Sequence, residues 1–470
     1  MPFFRLSIVR LWLPAILITA SGCNLAPKVA TPDLKLPVEF KTQGPWKVAQ
    51  PKDHETRGNW WRLFGDAKLN ELMAEAEKAS PTLEIASQRV QEARALARAD
   101  RAGLFPFATV TNSIRRDRSS GAMAFQFAGG RSRNTILNQL DFSYELDFWG
   151  KNRNTAKAGM LRSEAVEADW QSVRLGLLSE LAMNYFALRT QDAQIALLRR
   201  TVEVRARAAD LARTRFAQGD IAQVDVAQAE TDHAETQAEA IGLERQRGEL
   251  EHAIALLLGR VPSAFTLPAI PISGAPPSLP RSVPSTLLER RPDIASAERV
   301  MAATNAEIGV ARAAFFPSIT LGLSGGTQTS FIEKIADSHA RIWGLGPAAI
   351  EWPLLRGGAV KANAEAAKAR YEQSAASYRQ TVLAAMRDAE DALTALDVLR
   401  RQSAAQDATV ASASKALELS QKRYDSGLVA YYEVLDARRT QLRAERESTR
   451  LRGELFVATT MLVKALGGGW

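Results

Sequence analysis

The sequence predicts a chain of mixed α and β structure, in which long helices alternate with short strands and one arrangement occurs twice. Three observations predict this fold class. Two long stretches, 107–261 and 354–470, contain no proline. Short segments elsewhere alternate apolar and polar residues. Motifs of the first half return about 208 positions later in the second half.

The proline-free stretches favour long helices, because proline costs about 3 kcal/mol inside a helix. Lys151–Gly259 and Ala359–Leu466 are rich in Ala, Leu, Glu, Gln and Arg, which are strong helix formers. Gly219 and Gly427 interrupt the two stretches, so each is predicted to form a helical hairpin. One arm, 156–216, would be a helix about 90 Å long. A helix of that length belongs to a rod, a coiled coil or a helical tube.

The two interruptions belong to an internal repeat. Residues 215–222, RFAQGDIA, resemble residues 423–430, RYDSGLVA. Upstream, AGLFP at 102–106 resembles AAFFP at 313–317. A repeat of this length is a duplicated domain, because solenoid units have periods of about 20–50 residues. The predicted division of the chain after its N-terminal region is repeat 1 at 60–261, a proline-rich linker at 262–284 and repeat 2 at 285–470.

Alternating segments predict two strands in each repeat. Phe142–Phe148 and Ile319–Ser324 alternate clearly, Ala108–Thr111 is a weaker example, and glycines and a proline blur the pattern in Arg341–Trp352. We expect loops rich in Gly, Ser and Arg between the strands, at 116–134 and 325–340.

Strands with one apolar and one polar face fit an outer-membrane barrel, whose apolar side chains face lipid. A β-subdomain outside the membrane is the alternative. Four strands cannot close a membrane barrel, because about eight are needed. Open strand edges are not tolerated in hydrocarbon. If these strands span a bilayer, several chains must therefore pool them, and the ratio of helix to strand favours two or three chains.

The N-terminus has the pattern of a secretory signal. Met1–Gly22 carries two arginines, then the short apolar run Leu11–Ala20, then small residues. Cys23, the single cysteine of the chain, follows at once, which resembles a bacterial lipobox. We therefore expect a covalent diacylglycerol and an N-acyl chain on Cys23 and no other cofactor; an ordinary secreted protein is the alternative. Asn24 stands where aspartate would signal inner-membrane retention, so the outer membrane is expected. Residues 23–59 are predicted to be an extended lipidated arm.

Composition excludes several classes. Lys and Arg number 60 and Asp and Glu 52, a net charge of +8, but the two signs are interleaved. This favours a solvated surface of mixed charge and not a nucleic-acid partner. One cysteine and four scattered histidines offer little material for a metal site. The sequence contains no G-x-S-x-G, H-E-x-x-H or P-loop pattern, so we expect no enzyme.

Four motifs carry a resemblance to a known family: WWRLFGD at 60–66, YELDFWGK at 144–151, ERRPDI at 289–294 and AAFFP at 313–317. Together they resemble the TolC-like outer membrane factors, and with Cys23 they resemble the NodT-type lipoprotein branch. The resemblance implies a homotrimer, with four strands per chain in one twelve-stranded outer-membrane β-barrel. The barrel would be continuous with a long periplasmic α-helical barrel. The implied partners are outer-membrane lipid, a periplasmic adaptor (membrane fusion protein) and an inner-membrane transporter of the resistance-nodulation-division type.

In that family the turns with the pattern R-[FY]-x-x-G form the periplasmic tip of the tube. The resemblance implies adaptor docking at the exposed tip residues Phe216, Gln218, Gly219, Tyr424, Ser426 and Gly427. Plain helix termination is the alternative for the two glycines. By motif position, a gate that closes the resting channel would include Arg423, Tyr424, Asp436 and Arg439. An exposed ion pair between Asp436 and Arg439, three residues apart on one helix, is the alternative there.

The implied function is the outer membrane channel of a tripartite efflux system. It would be a passive export duct for drugs or other small solutes. A duct for type I protein secretion and a non-channel lipoprotein that spans the periplasm are the alternatives. Because a duct supplies no energy, the sequence does not reveal the substrate.

Overall fold

The structure is a computed structural model that describes residues 24–29, 58–118, 132–277 and 291–468. The predicted signal at 1–22, Cys23 and most of the predicted arm at 23–59 lie outside these residues. So do 278–284 of the predicted linker and the first two residues of the ERRPDI motif. The chain forms two compact units, each of which draws on both halves of the sequence. We call them the sheet unit (1–33, 90–166 and 296–378) and the helical unit (34–89, 167–295 and 379–470).

The described residues contain α-helices and β-strands in an order that is nearly the same in both halves. The helices are α1 (Ala67–Ala79), α2 (Pro81–Ala102), α3 (Lys151–Ala217), α4 (Gln223–Leu257), α5 (Pro292–Ala313), α6 (Ala359–Asp425) and α7 (Tyr431–Ala465). The strands are β1 (Phe107–Arg118), β2 (Ser132–Leu146), β3 (Ser318–Thr329) and β4 (Arg341–Glu351). Short 3₁₀ turns lie at Trp60–Phe64, Pro262–Ala264, Ile332–Lys334 and Ser338–Ala340.

The four strands of the sheet unit form one antiparallel sheet in the order β1-β2-β3-β4, so β1 and β4 are its two edges. Residues paired across an antiparallel sheet lie on the same face. Two rows of paired residues make one face apolar: Val110, Leu140, Gly325 and Trp343, then Ala108, Phe142, Leu323 and Leu345. The adjacent row, Thr109, Asp141, Ser324 and Gly344, makes the opposite face polar. The predicted two-faced strands are therefore confirmed.

The strands are longer than the sequence pattern predicted, and they extend into the predicted loops at 116–134 and 325–340. Gly325 and Gly326 were expected in a loop, but they lie within β3. A Cβ at Gly326 would collide with the main-chain oxygen of Asn138 on β2, so the glycine permits close strand pairing. At the end of β2 the predicted strand is too long. Alternation predicts a strand up to Phe148, but β2 ends at Leu146 and Asp147 lies outside it. Its carboxylate accepts hydrogen bonds from the main-chain N–H groups of Asn152 (3.1 Å) and Arg153 (2.8 Å) and so begins α3.

The long helices extend beyond the predicted ones. The arm expected at 156–216 is the 67-residue helix α3, and α6 has the same length. Helices α4 and α7 each have 35 residues. No helix in the described ranges has both the length and the apolar character needed to cross a membrane.

The core of the helical unit forms around the apolar face of α3. Leu178, Leu181, Tyr185 and Leu188, which recur at three- and four-residue steps, are all buried. They pack in one cluster with the tryptophans of the WWRLFGD motif and with α1. Asp66 of that motif joins the two parts, because one carboxylate oxygen caps α1 at the Leu69 N–H (2.9 Å) and the other accepts from the Tyr185 hydroxyl (2.7 Å). Burial and this hydrogen bond raise the pKa of Tyr185 to about 12.

Candidate functional site

The predicted tip consists of two turns with the same backbone geometry. After α3, the N–H of Gly219 donates to the Phe216 carbonyl and that of Asp220 to the Arg215 carbonyl, both at 2.9 Å. After α6, Gly427 and Leu428 repeat these two bonds at the same distance. This is the pattern that ends a helix at a glycine in the left-handed region. Gly219 has φ = 84° and Gly427 has φ = 71°, so a side chain at either position would strain the turn.

The six predicted docking residues differ in exposure. Phe216 is 44% exposed, and Gln218, Gly219, Ser426 and Gly427 are also exposed. Tyr424 is half-buried, because its hydroxyl accepts a hydrogen bond from Arg215 Nη1 (3.1 Å) and its ring lies 5.5 Å from the Tyr431 ring. Tyr424 therefore links the α3–α4 hairpin to the α6–α7 hairpin and presents little free surface.

A cavity of about 270 Å³ opens beside Tyr424 in the helical unit. Its lining is mixed: Leu211, Ile221 and Tyr431 are apolar or aromatic, and charges of both signs line it, among them Arg438 and Asp225. The cavity thus offers apolar area and groups of both charges next to the two turns.

The four predicted gate residues do not form one cluster. Arg423 lies 3.7 Å from Glu433, next to the turn. Asp436 is exposed, and within the described ranges no hydrogen bond or ion pair joins its carboxylate. The alternative of an Asp436–Arg439 pair is wrong. Arg439 instead contacts α4, with Nε 3.0 Å from Asp232 and Nη2 3.4 Å from Glu235.

Asp232 is a buried carboxylate that the sequence analysis missed. Its side chain is 2% exposed and is shared by two guanidinium groups, Arg439 on α7 and Arg205 on α3, whose Nε is 2.9 Å away. Burial lowers the pKa of Arg205, and the hydrogen bond to Asp232 raises the pKa of Arg439. The sequence contained a signal for this pair. Arg205 and Asp232 lie at nearly equal sequence distances from Gly219, so a hairpin that turns at Gly219 brings them to the same height.

A second buried cluster holds the described part of the linker. Asp192 on α3 accepts hydrogen bonds from Arg247 Nε (2.6 Å) and from the main-chain N–H of Ile270 (3.0 Å). Arg247 Nη2 also donates to the Leu267 carbonyl at 2.7 Å, and Arg189 Nη1 donates to the Pro268 carbonyl at 2.7 Å. The predicted proline-rich linker is therefore bound along the α3–α4 hairpin in this range. No group of three or more potential metal-binding side chains occurs in the described residues.

Comparisons with known proteins agree with this architecture. The sequence model of the outer membrane efflux protein family matches residues 72–260 and 283–468. CusC, a cation efflux system protein of Escherichia coli, is 30% identical over 458 residues, which cover 97% of both chains. A crystal structure of CusC matches 95% of this chain and 100% of that chain, with a TM-score of 0.85 and 28% identity.

Two further relatives are similar over the same length. SilC of Salmonella typhimurium, a probable outer membrane lipoprotein, is 30% identical over 475 residues and 99% of both chains. The toluene efflux pump outer membrane protein TtgI of Pseudomonas putida is 30% identical over 466 residues and 97% of both chains.

The chain has a sheet with one apolar face and two long helical hairpins, and nearly its whole length is similar to efflux proteins. These features define the class as an outer membrane protein of mixed α and β structure. The chain belongs to the outer membrane efflux protein family. This confirms the family resemblance, the outer-membrane location and the transport function expected from the sequence.

Proposed function

We propose that the protein is the outer membrane channel of a tripartite efflux system and acts as a passive export duct for small solutes. The observation that carries this proposal is the four-stranded sheet with an apolar face and two open edges. A sheet of this kind can lie in lipid only if further strands close it. A closed barrel leaves its polar face around a water-filled lumen.

The assembly in this proposal is a homotrimer. Three chains contribute twelve strands, with β1 of one copy paired to β4 of the next, so that no edge remains in the hydrocarbon. The α3–α4 and α6–α7 hairpins of three copies form the helical barrel across the periplasm. The division into repeat 1 (60–261), linker (262–284) and repeat 2 (285–470) belongs to the same proposal; the similar element order of the two halves supports it.

The turns at Gly219 and Gly427 dock a periplasmic adaptor, which joins the channel to an inner-membrane resistance-nodulation-division transporter. The exposed positions Phe216, Gln218 and Ser426 at the two turns, and the mixed cavity beside them, support this docking surface. Tyr424 supports it indirectly by holding the two turns together.

The gate in this proposal lies near the same turns. In a trimer, three copies of a residue that points to the symmetry axis form a ring, and a ring of carboxylates favours cations. Asp436 is suited to such a ring because its carboxylate is exposed and has no partner in the described ranges of its own chain. Arg423 and Tyr424 lie near the turns, and Arg439 ties α7 to α4 behind the ring.

Cys23 anchors the N-terminus in the outer membrane through its acyl chains. The signal-like segment and the single cysteine support this step, as does the likeness to SilC, which is named a probable lipoprotein. The substrate is set elsewhere, because CusC is named for cation efflux and TtgI for toluene efflux at the same 30% identity to this chain.

Channel activity is tested with the full-length protein extracted in detergent. We expect a trimer by native mass spectrometry and discrete single-channel currents in planar lipid bilayers. A species that stays single-chain and carries no current would favour a periplasm-spanning lipoprotein that is not a channel. Genes for an adaptor and a resistance-nodulation-division pump beside this one support efflux, whereas an adjacent ATPase gene would favour type I protein secretion.

A further inference from the structure

The segment that follows Cys23 is bound to a helix of the sheet unit. Residues 24–29, here called the N-terminal segment, contact α5 through two main-chain carbonyls. Asn305 Nδ2 donates to the Pro27 carbonyl at 2.8 Å, and Arg312 Nη1 donates to the Leu25 carbonyl at 3.3 Å. The two donors are seven residues apart on α5 and therefore lie on one helix face. Because both acceptors are main-chain atoms, these bonds depend on the path of the segment.

Gly309 lies between the two donors and makes room for the segment. A Cβ at Gly309 would stand 2.9 Å from the Ala26 Cβ and 2.5 Å from Asn154 Nδ2 on α3. Glycine inside a helix costs about 1 kcal/mol relative to alanine, so its presence here calls for a packing reason. The close approach of Ala26 and Asn154 supplies that reason. Asn154 and Asn305 are 2% and 3% exposed, and residues 25–27 are half-buried, so the helix side of the seat is shielded from solvent.

The seat lies at the end of the sheet that carries aromatic residues. Trp149 follows β2, stacks on Phe316 at 4.5 Å and donates to the Pro317 carbonyl at 2.8 Å, just before β3. Trp352 follows β4 and donates to the Phe315 carbonyl at 3.2 Å. Amphipathic aromatic residues of this kind mark the membrane–water interface of barrels. Helix α5 ends at Ala313, just before Phe315 and Phe316 in the chain, so Arg312 lies at this aromatic end of the sheet.

We propose that α5 seats the N-terminal segment and thereby fixes the acyl chains of Cys23 beside the aromatic end of the sheet, in the leaflet that faces the periplasm. The proposal rests on the lipidation of Cys23 proposed above. It adds Asn305, Gly309 and Arg312 as positioning residues. Leu25 is two residues from Cys23, and two residues span at most about 7 Å, so the anchor cannot leave this level while the segment is seated.

Trypsin cleavage in isolated outer membranes tests the seat. The protein is labelled with radioactive palmitate, and the released lipopeptides are sized by mass spectrometry. The Lys28 side chain is exposed, but its main chain follows the Pro27 carbonyl that Asn305 binds, so cleavage after Lys28 reports whether the main chain is held. Lys35 is the next lysine. We expect wild-type membranes to yield almost no lipopeptide that ends at Lys28. Gly309→Leu, which fills the seat, should raise cleavage at Lys28 at least ten-fold, and Arg312→Ala should raise it to a smaller extent.

Gly242→Leu is the matched control, because Gly242 is an exposed helical glycine on α4 with open space around it. It should leave cleavage at Lys28 unchanged. Equal cleavage at Lys28 in wild type, Gly309→Leu and Arg312→Ala would overturn the seat and leave the lipid anchor standing. Absence of palmitate from the chain would overturn the anchor and with it the proposed position of the acyl chains, and channel currents would still test the duct separately.

A photoactivatable palmitate on Cys23 tests where the acyl chains lie. We expect light to attach it to residues 313–317 or 351–355 of the chain, at the aromatic end of the sheet. Gly309→Leu should reduce these adducts at least five-fold, and Gly242→Leu should not change them. Adducts confined to other proteins or to lipid in the wild type would contradict the proposed position.

Discussion

Asp232→Ala removes the carboxylate that two guanidinium groups share. The Arg205 side chain is only 8% exposed, so its charge would stay buried without a counter-ion. Loss of one partner from a buried ion pair costs about 3–5 kcal/mol. Arg205 keeps its hydrogen bond to the main-chain oxygen of residue 232, at 3.1 Å in the native chain, and its contact with Thr236. We therefore expect a loss of about 3 kcal/mol, at the lower end of that range.

Arg439→Ala is the matched comparison on the other side of the same carboxylate. Its side chain is 36% exposed, and Asp232 would still be paired with Arg205. A partly exposed pair contributes up to about 1 kcal/mol, so we expect a loss of about 1 kcal/mol. Replacing both buried charges together, with Arg205→Met and Asp232→Leu, should cost less than Asp232→Ala alone, because no unpaired charge remains.

The assay is urea unfolding in detergent, followed by the helical signal in circular dichroism. Urea is uncharged and so does not screen the ion pairs under test. All variants are compared at one protein concentration, because association adds to the stability of an oligomer. If Asp232→Ala costs no more than Arg439→Ala, then Arg205 is not desolvated in the assembled protein and the reasoning fails.

Three further changes have expected outcomes. Gly219→Ala should lower the free energy of unfolding by about 1–2 kcal/mol because it forces a side chain into a positive φ, whereas Gly242→Ala in a helix interior should raise it by up to about 1 kcal/mol; urea unfolding measures both. The pKa of Tyr185 is raised from 10.0 to about 12, so its contribution to stability is complete below pH 10 and is lost as the pH rises towards 12. Urea unfolding of Tyr185→Phe between pH 9 and 12 should lack that loss, and an identical pH dependence would contradict it. Asp436→Ala combined with Arg439→Ala should raise single-channel conductance in planar bilayers, and unchanged conductance would remove the gate assignment.

The parts of the fold that follow from local chemistry could be predicted from the sequence. Proline disfavours a helix, and a glycine at a positive φ ends a helix. The two hairpins that turn at Gly219 and Gly427 could therefore be predicted. The two faces of the sheet follow from alternation in β2 and β3. Local rules failed at Gly325–Gly326: both glycines predict a loop, but they lie in β3, and Gly326 permits close pairing with β2.

The side-chain partners could not be read in the same way. Sequence distance favoured Asp436 as the partner of Arg439, but the rotation of α7 turns Arg439 towards Asp232, 207 residues away in the chain. No local pattern encodes that rotation. The seat at Gly309 was also invisible, because a helical glycine has no evident cause until Ala26 is found against it.

The unpaired borders of the sheet have a consequence for biogenesis. A newly exported chain carries two rows of main-chain hydrogen-bonding groups, on β1 and β4, that can join any extended polypeptide they meet. In the proposed trimer, correct closure requires encounters among sister chains, so its rate falls steeply as the supply of chains falls. Pairing of these two edges with other unfolded polypeptides competes with closure of the sheet throughout this time. Slow synthesis of the chain would therefore prolong the time for which these borders stay exposed before the proposed trimer closes.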